Sequence, residues 1–491
     1  MNRVLTPIVA GLLVIAGVTA GRAQVTVSQR ETDDSFVHTL VISPAAEPQS
    51  ALRYQFWPPL HVQKQTNAMP FFSRAVLMST TTRLRNRDVE LTPERYDRWF
   101  ESDWKPEHGE EIDEFLSHYS DSLAELERAT DCMLIDYPIV DASQSLEEIY
   151  ALLLPEVQES RTLARLLRLR AKLEMHSGRW EDFTRTMQTM FRLSEMSGRA
   201  GNLLISRLVG MMIAGITLEA IEEASSIENC PNFYWALAAL PEGLLDTRGA
   251  IDQEVQVIPN LAPGLAKNPD APIGEVAARA KLREIIRSYS ELRSMSFRKS
   301  DSETPSMSLL KAGLIVIATA EQSREYLRRE TRWGDRVDEL SDSECVLRAF
   351  AIEVDRNASN ILKWTWLPES IRLQNSSRSE DEMRRISEEE FNPAAIVMNL
   401  ILPATDAACR AEYRFKQSIA RNATIQAIRD FAAQHDRLPE SFDELTLPAW
   451  PDAFSNEPFG YELLTPRTAN LTRAERHHGD NATNLPLELT E

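Results

Sequence analysis

Apolar positions recur every three or four residues through much of this chain, and residues 153–224 show the pattern best. Leu163, Leu166, Leu167, Ala171 and Met175 fall at the spacing that puts side chains on one face of a helix. Gly178 interrupts that face within His176-Ser177-Gly178-Arg179, and a second run follows through Phe183, Met187, Met190, Phe191 and Leu193. The pattern predicts a helix, a tight turn, a second helix and then a third. Helix pairs of this kind cannot bury their apolar faces alone, so they stack on neighbours. The expected fold class is therefore mainly α: stacked helical hairpins, as in an α-solenoid or TPR-like array, with a small α+β piece at the C-terminal end.

The rest of the chain divides around that core pattern. Residues 24–50 are polar and read as a flexible lead-in, with one strand at 36–42. Pro58 and Pro59 forbid a helix through 51–60, which predicts an extended apolar segment laid against the body. Asn67 suits the cap of a helix through Phe71, Phe72, Ala75 and Met78. Thr92 and Pro93 suit the cap and first position of another. One amphipathic helix is expected over 111–129, an irregular stretch broken by Pro138 over 131–141, and the main stack from Ser145.

Residues 229–231 break the stack and Phe233 to Leu240 resume it. Pro241 then starts a helix through Leu244, Leu245, Ile251, Val255 and Ile258. A Pro- and Gly-rich loop at 259–272 precedes helices at 274–292 and 306–329, separated by a polar break at 298–305. Trp364-Thr365-Trp366-Leu367-Pro368 is an aromatic stop, and 376–390 is a charged, solvated stretch. Two last helices, 394–402 and 407–434, are expected to be interrupted at Pro403. Turn residues from Pro451 to Tyr461 then suggest a small hairpin, with strand-like pieces toward Glu488. The predicted organisation is a signal peptide at 1–23, a lead-in at 24–50, a helical body at 51–405, and a C-terminal helix with a hairpin segment at 406–491.

Composition narrows the function. The 491 residues carry a formal net charge of -20, and no basic stripe with interleaved aromatics was recognised, so nucleic-acid binding is disfavoured. Asn2-Arg3 followed by an apolar run from Val4 to Val18 and the small residues Thr19-Ala20-Gly21-Arg22-Ala23 has the layout of a secretory leader. Cleavage after Ala23 or Ala20 fits. An uncleaved anchor is the competing reading, but the run is about 15 residues against roughly 20 needed to span a bilayer. The expected location is thus periplasmic or extracellular. Cys132, Cys230, Cys345 and Cys409 include no C-x-x-C pair. In an oxidising compartment they allow disulfides; as buried thiols they would act as small apolar residues.

Certain segments carry a resemblance. They are Trp57-Pro58-Pro59-Leu60, Asn67-Ala68-Met69-Pro70, Leu163-Ala164-Arg165-Leu166-Leu167 and Gly178-Arg179-Trp180. Asn232-Phe233-Tyr234-Trp235-Ala236-Leu237-Ala238-Ala239-Leu240-Pro241 is the most specific, and Lys363-Trp364, Leu367-Pro368, Leu438-Pro439 and Phe459-Gly460-Tyr461 complete the set. In this order the chain resembles a large group of secreted all-helical proteins typical of planctomycete-type bacteria. The resemblance implies export and a helical body, and supplies no catalytic residues. Within it, residues 167–190 resemble a degenerate tetratricopeptide unit, from which bulky Phe183 departs. Residues 411–461 are similar to the soluble end of pseudopilins.

Candidate chemistry is sparse. Glu107-His108-Gly109-Glu110-Glu111 and His477-His478-Gly479-Asp480 have ligand-type side chains, but they read more simply as solvated turns. Ser308-Leu309-Leu310-Lys311 and Ser296-Phe297-Arg298-Lys299 match S-x-x-K without the partner elements; Ser341-Asp342-Ser343 is the nearest fragment. Glu388-Glu389-Glu390 reads as a solvated face. Met187, Met190, Met196, Met211 and Met212 are core packing or an adaptable groove. Trp57, Trp180, Trp235, Trp364 and Trp366 are plugs or ligand anchors. No catalytic, cofactor-binding or metal-binding residue is nominated. The expectation is an extracytoplasmic binding or scaffolding protein for envelope proteins or peptides; the alternative is an envelope hydrolase with a site built from scattered residues.

Overall fold

The structure is a computed structural model describing residues 39–85, 90–101, 104–137, 146–253, 271–296, 305–331, 333–367, 371–372, 375, 378, 381–382, 384–385, 395–453, 456–472 and 484–490. The leader, the 259–270 part of the Pro- and Gly-rich loop, the 298–304 break, Glu388-Glu389-Glu390 and His477-His478 lie outside these residues. The protein is mainly helical and carries a small mixed sheet.

Strand β1 (Leu40–Ile42) opens the described chain. Residues 51–63 follow as turns and extended backbone, as the two prolines require. Phe56 is fully buried there, its ring 5.1 Å from Phe233 and 6.1 Å from Phe191. Strand β2 (Lys64–Asn67) then pairs in parallel with β3 (Cys132–Leu134). The expected irregular stretch thus begins as a strand, because its backbone completes a ladder with residues far upstream.

Helix α1 (Met69–Arg85) is capped by Asn67, whose Oδ1 accepts the Met69 N–H at 3.1 Å. Helix α2 (Pro93–Glu101) is capped by Thr92, whose Oγ1 accepts the Arg95 N–H at 3.3 Å. The single helix expected at 111–129 is two, α3 (Pro106–Ser117) and α4 (Ser120–Thr130). The break falls at Tyr119, with φ -108° and ψ 7°, whose ring turns into the core 5.5 Å from Phe115.

Helices α5 (Leu146–His176), α6 (Trp180–Arg199) and α7 (Leu204–Ala224) match the predicted triplet. Gly178 makes the first turn at φ +66°, a left-handed backbone that suits glycine. Helices α6 and α7 cross where Gly198 faces Gly210. A Cβ added at Gly210 would stand 2.6 Å from the Ser194 carbonyl oxygen and 2.9 Å from the Gly198 Cα. The Leu245 side chain plugs this crossing. It gets there through a turn at φ +62°, so the helix expected from Pro241 starts only at Arg248, after turns over 241–247, and holds Ile251; Val255 and Ile258 lie outside the described residues. Helix α7 has 21 residues, and its most apolar 18-residue window has a mean hydropathy of 1.7, enough to cross a bilayer by length and composition, yet 67% of that window is buried within the protein. It is the central core helix, packed between α6 and the long last helix.

Helix α8 (Tyr234–Ala238) is a short piece, not the full run to Leu240. A second helical layer comprises α9 (Glu275–Ser296), α10 (Pro305–Glu330) and α11 (Asp342–Thr365) around Leu282, Ile285, Leu347, Phe350 and Val354. Helix α12 (Ala395–His435) runs 41 residues through Pro403, where two helices were expected. It is the spine of the molecule. Ala408 joins the second layer, Phe415, Ala423 and Ala427 join the main core, and Ile425 and Ile428 support the sheet.

Strands β4 (Gly460–Thr465), β5 (Thr468–Thr472) and β6 (Asn484–Leu489) form that sheet in the order β1–β6–β5–β4. The strand expected at 36–42 is present over Leu40–Ile42, and its partner was not foreseen. β1 pairs in parallel with β6, Leu40 opposite Leu487, so residues 40–42 form the edge of the sheet. Pro451 and Pro458 form only an isolated bridge, and the true hairpin is β4–β5.

None of the four cysteines is in a disulfide; Cys132, Cys230 and Cys345 are buried and Cys409 is half-buried. Burial pushes the Cys230 and Cys345 thiols up to about 11, which keeps them protonated and unreactive.

Candidate functional site

Arg161, Arg165, Arg168, Lys172 and His176 repeat at four-, three-, four- and four-residue steps along α5, so they share one helical face. Tyr96 and Phe100 do the same on α2, and Trp104 follows just beyond it. The two rows meet in rungs. The Arg165 guanidinium lies 5.7 Å from the Tyr96 ring centre, while Arg168 and the Lys172 ammonium lie 5.1 and 4.7 Å from Phe100. His176 stacks on Trp104 at 4.2 Å and 5°. Tyr96 and Phe100 stack on each other at 4.3 Å. Each cation lies within the range at which an aromatic face attracts it.

Helix α7 closes the third side with Glu219 and Glu223, one turn apart. The Glu223 carboxylate accepts from Arg168, and the Lys172 ammonium lies 3.3 Å from its other oxygen. Burial pushes the Glu223 carboxyl up, but Arg168 and Lys172 outweigh it and hold the group down at about 2. Burial raises Glu219, helped by Glu222 and Glu223 and opposed by Arg168 and Arg421. Glu219 is nonetheless exposed by surface area. A carboxyl that water reaches and that protein also crowds lies in a cleft open on one side.

The cleft perturbs the other groups in the same sense. Burial pushes Tyr96 up to about 12 and His176 down to about 4, so both are neutral at pH 7. Burial and the neighbouring Arg165 lower Arg161, and burial lowers Lys172. Arg168 keeps its charge, since Glu223 offsets the burial. Its NH1 is buried without a hydrogen-bond partner. Arg165, Arg168 and Lys172 thus face the carboxylates of Glu219 and Glu223, with Glu222 paired to Arg421 beside them, leaving a local positive surplus in a chain of net charge -20.

The residues singled out in the sequence lie elsewhere. His108 faces Trp104 edge-on, and Glu111 is engaged by Arg98 at 2.7 Å and by the Trp99 indole at 3.0 Å. Among the described residues no group of three or more His, Cys, Asp and Glu side chains is placed to hold a metal ion. Ser341 caps α11 by accepting the Glu344 N–H. Met187, Met190, Met196 and Met211 are buried in the main core, with Met212 packed against it. Trp57 lies under Arg192 at 5.0 Å, Trp180 packs on Phe183, and the Trp235 and Trp364 indoles donate to Glu47 and Glu382. These are plugs, whereas Trp366 is 76% exposed. Sequence reasoning missed the cleft. The cation spacing on α5 was legible, but its aromatic partners lie more than sixty residues upstream.

No protein-family model matches this chain, and no curated protein or solved structure matches it either.

Proposed function

We propose that this chain is an exported, non-catalytic binding or scaffolding protein of the cell envelope, built as a TPR-like stack and related to the secreted helical group it resembles. The carrying observation is the three-sided cleft of α2, α5 and α7. It gathers charged and aromatic side chains, whereas the other described charge clusters fasten neighbouring elements. Support for the stack comes from α5, α6 and α7, which pack in succession through Gly178 and the Gly198–Gly210 crossing. The leader-type sequence at 1–23 supports export.

The test is affinity capture of the mature chain from envelope extract. Stable recovery of a partner is expected. Recovery of none, together with turnover in a broad hydrolase screen, would reverse the reading. One observation favours that hydrolase alternative: Glu219 and Glu223 sit one turn apart with carboxyls shifted in opposite directions, the pattern of an acid and an ionised partner. Glu219→Gln would then abolish turnover.

A further inference from the structure

A guanidinium that lies over an aromatic ring uses its face and keeps its N–H edge for planar oxyanions. Arg165 and Arg168 are both held in this way, by Tyr96 and Phe100. Arg165 is exposed at the mouth of the cleft and forms no ion pair among the described residues. Arg168 is buried at the inner end, with NH1 unpartnered. Glu223 is shared between Arg168 and Lys172, and one carboxylate cannot neutralise both.

We propose that the α2–α5–α7 cleft binds a small oxyanion-bearing ligand, a phosphate or a carboxylate, whose charged group sits between the edges of Arg165 and Arg168. The site supplies two forked donors, a positive surplus and walls of Tyr96 and Phe100 that reduce screening by water. Glu219 gates it. Arg168 on α5, Tyr96 on α2, Glu222 and Glu223 on α7 and Arg421 on α12 surround that carboxyl. When ionised it repels the incoming anion; when protonated it donates a hydrogen bond to it. Anion binding and proton uptake at Glu219 therefore reinforce each other.

The inference rests on the binding-module reading and specifies its ligand. It is tested by titration calorimetry of the full chain with inorganic phosphate and with benzoate. One saturable site is expected for at least one probe, and the tighter probe names the anion class. Arg165→Glu should weaken it by about tenfold or more, since a hydrogen bond to a charged group is lost and a repulsive charge added. Arg165→Lys should retain part of the affinity. The unfolding midpoint of both variants should stay near that of the parent, because Arg165 is exposed. With benzoate, whose own charge is constant near neutrality, affinity should rise as pH falls, and Glu219→Gln should remove that dependence. Absence of saturable binding, or binding insensitive to Arg165→Glu, would overturn the site and show the ladder to be a clasp between helices. That result alongside a captured envelope partner would leave the scaffold reading standing. Hydrolase turnover without a partner would sink the scaffold reading instead.

Discussion

Two buried arginines show how differently this protein treats a guanidinium. Arg429 on α12 has five N–H donors and five hydrogen bonds. They go to the Ser43 carbonyl (2.7 Å) and hydroxyl (3.1 Å), the Cys230 and Pro231 carbonyls (3.0 and 3.2 Å), and Gln426 Oε1 (2.7 Å). None of these acceptors is a carboxylate, and burial lowers its pKa. Its hydrogen bonds are complete and its charge is not neutralised by any of them. Arg168 is the reverse: it pairs with the Glu223 carboxylate, which it shares with Lys172, while NH1 has no hydrogen bond. The first arrangement ties three chain segments into one latch. The second pairs a charge but leaves one of its donors unused.

The contrast is sharpest if the latch is cut. Arg429→Ala strands acceptors from residues 43, 230 and 231, and should cost about 3–5 kcal/mol in urea unfolding. Amide exchange at Leu40–Ile42 should quicken with it. A loss below about 1 kcal/mol would deny Arg429 that role. Glu223→Gln leaves Arg168 and Lys172 buried without a counter-charge, at about 3 kcal/mol near neutral pH. Its folded carboxyl lies below its ordinary 4.5, so the stability it contributes is complete above pH 4.5 and is lost as pH falls toward about 2. The Gln variant should lack that part of the acid loss. Gly210→Ala probes rigid packing away from either arginine and should cost about 1–3 kcal/mol, because the new methyl meets the backbone of α6.

His176 gives the smallest effect. Its folded pKa is depressed from 6.5 to about 4, so the unfolded chain takes up the proton first. Stability should therefore decline as pH falls from 6.5 toward 4. His176→Phe keeps a ring on Trp104 and should flatten that decline; an unchanged slope in urea midpoints would exclude His176 as its source.

What the sequence disclosed was local. The α5–α7 triplet, the Gly178 turn and the caps at Asn67 and Thr92 depend on residues within a few positions, and they were legible. The failures depend on distant partners. Nothing near Cys132 announces a strand, because the ladder is completed by Lys64–Asn67. Leu245 leaves the helical region to fill the space two glycines make some 35 to 47 residues earlier. Pro403 removes one hydrogen bond from α12, yet the helix continues, as context often overrides local preference. The cleft was half legible: the cations of α5 show their spacing, but nothing in α2 marks Tyr96 and Phe100 as their counterparts.

The parallel pairing of Leu40 with Leu487 has a kinetic corollary. Residues 40–42 emerge from a ribosome among the earliest of the described chain, well before their ladder partner at 487–489. The sheet must close late, whichever helices have formed before it. Until then β1 is an unpaired ribbon, open to other extended chains and in need of shelter.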